Sequence, residues 1–383
     1  MRNSKDGILT THAGSLSRPA ALIELYASEA PGEELDASLR SAVEEVVQKQ
    51  VQAGIAVVND GEYGKPMRQA VDFGAWGQYF YDRVSGFETR PLDRPFGWNR
   101  GKDRAQFQDF YQEYTASMAR RFTRVCVGPI VYDDTLVRRD IANLRAALEG
   151  KDATEAFLPV AWPNDILDDL AANECYASME EYWQALADAM KQEYRVIAES
   201  GLVLQIDDPG SPAMYDWRFA ERPIEEYRKW AQARVELLNY ALTGIPREQV
   251  RYHICWGSWH GPHSTDLPLK DYFDIMMTVN AQAFSVEAGN VRHEHEWKVW
   301  LDSKVPEGTI AIPGVVSHAT NVLEHPELVA DRIARYAEAV GRENVIAGTD
   351  CGLGGRIHPQ LAWAKLRVLS EGAALATKRL WER

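Results

Sequence analysis

Short β-rich runs alternate with helix-patterned stretches along almost the whole of this 383-residue chain, and no other feature restricts its fold as much. The runs are ILTTHAG, AVVNDG, VCVGPIV, FLPVAW, LVLQIDD, VRYHICW, AFSVEAG, TIAIPGVV and NVIAGTD. Strand and helix in repeated succession predict βα units around a parallel sheet. Residues 37–54, 179–201 and 325–341 space their apolar side chains at helical intervals and each closes on Gly, as the outer helices of such a fold would. Nine runs are one too many for an eight-stranded barrel. Pro159 and Pro163 demote FLPVAW, because proline cannot donate to a strand ladder. The expectation is an α/β fold, a TIM (β/α)8 barrel with an insertion around residues 74–120 and an extended loop around 131–165. Residues 1–383 are expected to form one barrel domain, a size that barrels reach.

The insertion is aromatic, charged and punctuated by Gly and Pro, and is expected to cover the barrel mouth as a lid or to meet a second copy of the chain in a homo-oligomer. A formal net charge of −14 excludes a non-specific grip on nucleic acid or an anionic membrane, since both need clustered Lys and Arg. MRNSKDGILTTHAGS lacks the apolar run of a signal peptide, and nowhere are there 18 consecutive apolar residues, so a soluble, cytoplasmic protein is expected. Cys126, Cys175, Cys255 and Cys351 are too scattered for a disulfide framework. Cys126 and Cys175 read as small buried hydrophobes.

In a barrel of this kind the chemistry sits where strands end and βα loops begin. The polar residues to test there are His12 to Ser15, Glu62, Asp207, Asp208, His253, Cys255, Glu287, His318, Asp350 and Cys351. The His-x-Cys spacing of His253 and Cys255 puts both on one face of a strand. With Glu287 and Cys351 at two further strand ends, these four compose a candidate zinc site of imidazole, thiolate and carboxylate. His293 and His295 of HEHEW are a rival pair, but they lack HExxH spacing and are read as pocket or surface residues. The WGSWHGPH run (256–263) has the make-up of a pocket-lining loop. Glu62 and Asp207 read equally as acceptors for a substrate ammonium or as helix-capping and turn residues.

Taken in order, THAGSLSRP, NDGEYGKP, VGPIV, LQIDDP, HIC, VEAGN, GVVSH and TDCGL resemble the eight strand-end motifs of the catalytic half of cobalamin-independent methionine synthase. The resemblance implies that His253, Cys255, Glu287 and Cys351 hold Zn2+ and that the zinc activates a homocysteine-like thiol for methylation. It also implies that Ser15 and its neighbouring backbone meet the substrate carboxylate, that Glu62 and Asp207 take the amino group, and that His318 gives a proton to the leaving group. The partners it implies are a small-molecule thiol and a methyl or alkyl donor.

The chain departs from the family at three points. There is no room for the second, N-terminal barrel; Tyr132 in VYDD stands where Trp would be expected after the third strand; and EAGNVRHEHEW replaces a serine- and arginine-bearing segment. Single-barrel relatives include an enzyme that opens epoxides with the thiol of coenzyme M, which is the alternative reaction. Arg18 and Arg292 are candidate partners for a carboxylate or sulfonate at the thiol's far end. A non-enzymatic alternative is a zinc-stabilised binding module.

Overall fold

The computed structural model describes residues 1–28, 32–69, 75–96, 101–115, 120–162 and 171–382. Eight parallel strands form the central sheet: β1 (Leu9–Thr10), β2 (Val57–Val58), β3 (Glu155–Ala161), β4 (Val203–Asp207), β5 (Val250–His253), β6 (Ala283–Glu287), β7 (Ile310–Val316) and β8 (Ile346–Thr349). From β2 to β8 each pairs with its neighbours in chain order, and β8 returns to pair with β1. Between β1 and β2 the closure is carried by Ala56 N–H donating to Thr10 O (3.1 Å) and Thr11 Oγ1 donating to Val57 O (3.0 Å). The fold is the expected (β/α)8 barrel.

Outward strand residues such as Leu204, Ile206, Tyr252, Phe284 and Val286 are buried in the main core, together with apolar residues of the surrounding helices. Those helices include Gly32–Gln52, Met179–Glu199 and Pro326–Val340, close to the stretches read from periodicity. Each is amphipathic because a helix in the ring has one apolar stripe to bury and one face in water. Among the described residues no helix is long and apolar enough to cross a membrane.

The demotion of FLPVAW is overturned. Its residues make β3, whereas VCVGPIV begins in a strand, Arg120–Cys126, that lies outside the barrel. That strand pairs antiparallel with Phe87–Phe96 and parallel with Ala171–Asn173 in a three-stranded side sheet. Pro159 is tolerated for a local reason: its carbonyl accepts from Lys65 Nζ (2.9 Å), and β2 stops opposite Ala156, so this flank faces a side chain instead of a strand ladder. The residue following β3 is accordingly Trp162, and Tyr132 does not follow the third barrel strand.

Residues 131–165 are not an extended loop either. They contain the helix Thr135–Leu148 and β3, with 163–165 outside the described residues. The insertion expected at 74–120 extends into the side sheet, and residues 74, 97–100 and 116–119 lie outside the described residues. Its helices Lys102–Gln106 and Gln108–Tyr114 are tied to the loop after β5: Ser264 N–H donates to Asp103 Oδ1 (2.8 Å), Trp259 Nε1 to Tyr111 Oη (3.0 Å) and His260 N–H to Tyr114 Oη (2.9 Å). The insertion therefore covers part of the barrel mouth.

Inside the barrel the lower level is apolar, with Leu9, Val57, Phe157, Val203, Ala283, Ile310 and Ile346 clustering with Met1. Above it lies a buried cation. Arg251 donates to Thr11 Oγ1 (3.0 Å) and His12 O (2.9 Å), and its guanidinium stands 4.0 Å from the Phe157 ring centroid. Burial lowers its pKa to about 9, so it remains charged at neutral pH. Truncation leaves a cavity and two acceptors without their donors, so Arg251→Ala is expected to cost about 3–5 kcal/mol in urea unfolding. Arg251→Met, which refills the volume, is expected to lose less than half as much.

Candidate active site

Parallel pairing sets Asp207 opposite His253, His253 opposite Ser285, and Glu287 opposite Gly314. Alternate residues of a strand share a face, so Gln205 with Asp207, Arg251 with His253, and Ser285 with Glu287 form adjacent inward pairs. Cys255 lies two residues beyond His253, and Cys351 two residues beyond the end of β8. A His253 ring nitrogen and the sulfurs of Cys255 and Cys351 lie within 4.8 Å of one another. Ser285 Oγ is 3.0 Å from His253 Nδ1, which occupies that atom and leaves Nε2 as the available ligand.

The two thiols differ. Contact with Cys351, then burial, pushes the Cys255 thiol well up. Contact with Cys255, reinforced by His253 and the nearby His318 and opposed by burial, holds Cys351 well below the ordinary thiol range. Burial works against protonation of His253, but its bond to Cys351 and the Asp207 charge outweigh that and raise its pKa. The same contact thus moves the two thiols in opposite directions, Cys351 down and Cys255 up.

Glu287 stands beside the triad. Its Oε1 accepts from Trp256 N–H (3.1 Å) and its Oε2 from Asn290 Nδ2 (2.6 Å), while burial pushes its pKa well up and the Asp350 and Cys351 charges add to the rise. Asp350 is held more fully, accepting from the Ala288 and Gly289 N–H groups (both 2.7 Å) and from Asn290 Nδ2 (3.1 Å). Carboxylate oxygens of Glu287 and Asp350 and a nitrogen of His318 also lie within 4.8 Å of one another. The imidazole and two thiols make a borderline-soft donor set of the kind zinc prefers, and Glu287 belongs to the adjoining group with His318 and Asp350.

The loops after β1 and β2 supply the opposite wall. His12 Nδ1 accepts from Gly14 N–H (3.2 Å), so Nε2 carries the proton and donates to Gln50 Oε1 (2.8 Å). Burial lowers the His12 pKa to about 4, which keeps this arrangement neutral. Asn59 Nδ2 donates to Gly14 O (3.1 Å), and Gly61 and Glu62 follow with φ of 67° and 64°. A left-handed glutamate is strained, and such strain is held where the surroundings enforce it. Here they do: Arg18 donates to the carbonyls of Glu62 and Lys65, and a Cβ on Gly14 would meet Glu62 Oε1 at 2.3 Å.

The Glu62 carboxyl is thereby driven into the barrel mouth instead of capping a helix. Burial raises its pKa to about 8, Lys65 opposing and the Asp207 charge adding. Asp207 accepts from Gln205 Nε2 (2.6 Å) and is raised to about 6 by burial, against the pull of His253 and Lys65. Asp208, in contrast, is a turn residue, accepting from Ser211 N–H (2.9 Å) and bonded to Tyr252 Oη. Ser15 is half-buried, and its carbonyl accepts from Leu353 N–H (2.9 Å) and Gly354 N–H (3.0 Å), which joins the β1 loop to the loop carrying Cys351.

His318 is buried, its pKa lowered by burial to about 4, and its Nδ1 has no hydrogen-bond partner among the described residues. Arg18 donates to the carbonyls of Glu62 and Lys65, and Arg292 is exposed after β6 with no side-chain hydrogen bond among the described residues. His293 is a buried structural ion. It bonds Asp266 Oδ2 (3.0 Å) and Glu296 Oε2 (2.9 Å) and stacks on Trp256, and these carboxylates overcome burial to raise it to about 10.

Sequence reasoning missed Lys65, Gln205, Ser285 and Asn290. Two-residue spacing was the available signal for Gln205 and Ser285, which precede Asp207 and Glu287 on the same strand faces.

A family model described as "Cobalamin-independent synthase, Catalytic domain" matches residues 104–374. The chain is 24% identical over 378 residues to the methionine synthase of Thermococcus kodakarensis, covering 97% of this chain and 94% of that one. It is 21% identical to the 2-hydroxypropyl-CoM lyase of Xanthobacter autotrophicus, covering 92% and 89%. In fold it resembles a B12-independent methionine synthase from Shewanella sp. W3-18-1, solved in complex with selenomethionine, with a TM-score of 0.70 at 21% identity over 98% of this chain and 100% of that one.

The buried Glu62 carries a stability cost with a defined sign. A carboxyl raised from 4.5 to about 8 keeps a proton that the unfolded chain releases, so stability falls as pH rises from 4.5 to 8. The loss is on the order of 4–5 kcal/mol. Glu62→Gln is expected to melt above the parent protein at pH 8, with the difference shrinking toward pH 5. A pH series of thermal melts measures it, and a pH-independent difference would contradict the assignment.

Proposed function

The chain belongs to the cobalamin-independent synthase catalytic-domain family, and from that premise we propose that it is a zinc-dependent transferase that methylates a homocysteine-like thiol. The observation that carries this reading is the convergence of His253, Cys255 and Cys351 within 4.8 Å at the strand ends of the barrel, with Glu287 beside them. These four would hold the zinc. Bound there, zinc supplies the Lewis acidity that keeps a substrate thiol deprotonated near neutral pH.

The chain's own residues do the rest. Ser285 fixes the His253 ring, and Asn290 and Trp256 N–H aim Glu287. Glu62 and Asp207 accept the substrate ammonium, Glu62 giving up the proton that burial favours, and Ser15 with its loop lies at the carboxylate end. The substrate thiolate attacks the methyl carbon in line; the carbon–sulfur bond forms as the bond to the donor atom breaks. His318, neutral in the free site, would take the proton that the thiol gives up and pass it to the departing atom; its unpartnered Nδ1 is the kind of buried polar atom a bound ligand completes.

A second reaction on the same thiolate is opening of an epoxide, favoured by similarity to the 2-hydroxypropyl-CoM lyase along 92% of the chain. There the alkoxide takes the proton from His318. Incubating zinc-loaded protein with homocysteine or 2-mercaptoethanesulfonate, each against a methylfolate and a short epoxide, separates the two by product.

Cys351→Ser is expected to reduce zinc content to well below one equivalent and to abolish transfer while the melting temperature of metal-free protein changes little. In the parent protein, adding homocysteine is expected to change the zinc coordination seen by X-ray absorption. Unchanged coordination across a broad panel of thiols would point instead to a zinc-stabilised binding module.

A further inference from the structure

We propose that a cavity at the N-terminal end of the barrel, opposite the strand ends that carry His253, Cys255 and Glu287, binds a small organic anion through Arg247. The cavity holds about 570 Å³ and lies between the end of the helix Ile224–Ala241 and the loops that lead into β5, β6 and β7. That volume is in the range of small-molecule pockets. Its apolar lining comes from Phe284, an outward residue of β6, with Val279 and Met277 from the loop before it.

The polar lining assigns the class of ligand. Arg247 opens the turn Arg247–Gln249 ahead of β5, and its carbonyl accepts from Gln282 N–H (3.0 Å). Its half-buried guanidinium makes no hydrogen bond or ion pair with the described residues. Asn239, in contrast, is committed to the rim, where its Nδ2 donates to Thr278 O (2.9 Å) and its Oδ1 accepts from Asn280 N–H (2.7 Å). The Asn280 side-chain amide, also in the lining, has no partner among the described residues. Thr309 is 2% exposed, and its Oγ1 likewise has no hydrogen-bond partner among them. Such buried polar atoms are normally completed by water or a ligand. No Asp or Glu is among the described residues that line the cavity, although the chain carries 56 of them and a net charge of −14. An arginine with no competing acid, beside an amide and an apolar wall, is suited to a carboxylate or phosphate on an apolar body.

Calorimetric titration of the full chain with benzoate, phenyl phosphate and the neutral isostere benzamide tests the assignment without relying on zinc or turnover. The better of the two anions is expected to bind the parent protein at least about 10-fold more tightly than benzamide, and its identity decides between carboxylate and phosphate. Arg247→Gln is expected to weaken that anion by about 10-fold or more and benzamide by less than about threefold. Thr243→Trp, made at an exposed lining residue, is expected to fill the cavity and block all three probes. Melting temperatures of the two variants show that each is folded. Absence of binding by both anions up to about 20 mM, or an anion affinity that either substitution leaves unchanged, would overturn the proposal.

Discussion

The register of four consecutive parallel strands is the constraint on which the site depends. Phe157 opposite Val203, Gln205 opposite Arg251, and His253 opposite Ser285 fix which residues share a level, and a slip of one residue would turn every inward side chain outward. The levels differ in chemistry. The lowest is apolar, the next holds Gln205 and Arg251, the one above carries Asp207, His253 and Ser285, and Glu287 lies one step beyond. Arg251 links these levels to β1 through Thr11 and the His12 carbonyl, so one buried guanidinium anchors the start of the loop that leads to Gly14 and Ser15.

A second constraint is electrostatic. Glu62, Asp207, Glu287 and Asp350 are all buried at the mouth, and several raise one another's affinity for protons: Asp207 acts on Glu62, Cys351 on Asp207, and Asp350 with Cys351 on Glu287. Lys65 and Arg18 offset only part of this charge. Protons held there are stand-ins for positive charge, and a divalent metal at the sulfurs with an ammonium at Glu62 and Asp207 would displace them. The same crowding that destabilises the empty carboxylates thus favours the two cations the proposed reaction requires.

What the sequence disclosed follows from where information is local. His253 and Cys255 were legible because a two-residue spacing is enough to place both on one strand face. The helices at 37–54, 179–201 and 325–341 were legible because amphipathic periodicity is written within each segment. β3 was not, since the tolerance of Pro159 depends on Lys65, 94 residues earlier, taking its carbonyl. The carbonyl partners of Arg18 were not legible for a related reason: they are backbone groups of another loop, which leave no trace in side-chain pattern. The bond from Arg356 Nε to Ser258 Oγ was not legible because only the folded barrel brings the loops after β5 and β8 together.

The insertion completes the physical logic of the mouth. Tyr111 and Tyr114 hold the loop after β5 through Trp259 and His260, and Asp103 holds Ser264 in the same loop. That loop begins at Cys255 and carries Ser258, so the covering segment acts on the orientation of a proposed ligand and of Arg356 together. Covering the mouth also excludes water from the buried carboxyls and thiols. Lower local dielectric strengthens each charge–charge contact and raises the cost of leaving one unpaired. A thiol with an ammonium end would find both of its groups matched there, whereas a thiol without one would leave the buried charge around Glu62 uncompensated. The cover and loops therefore shape the proposed site as much as its candidate metal ligands do.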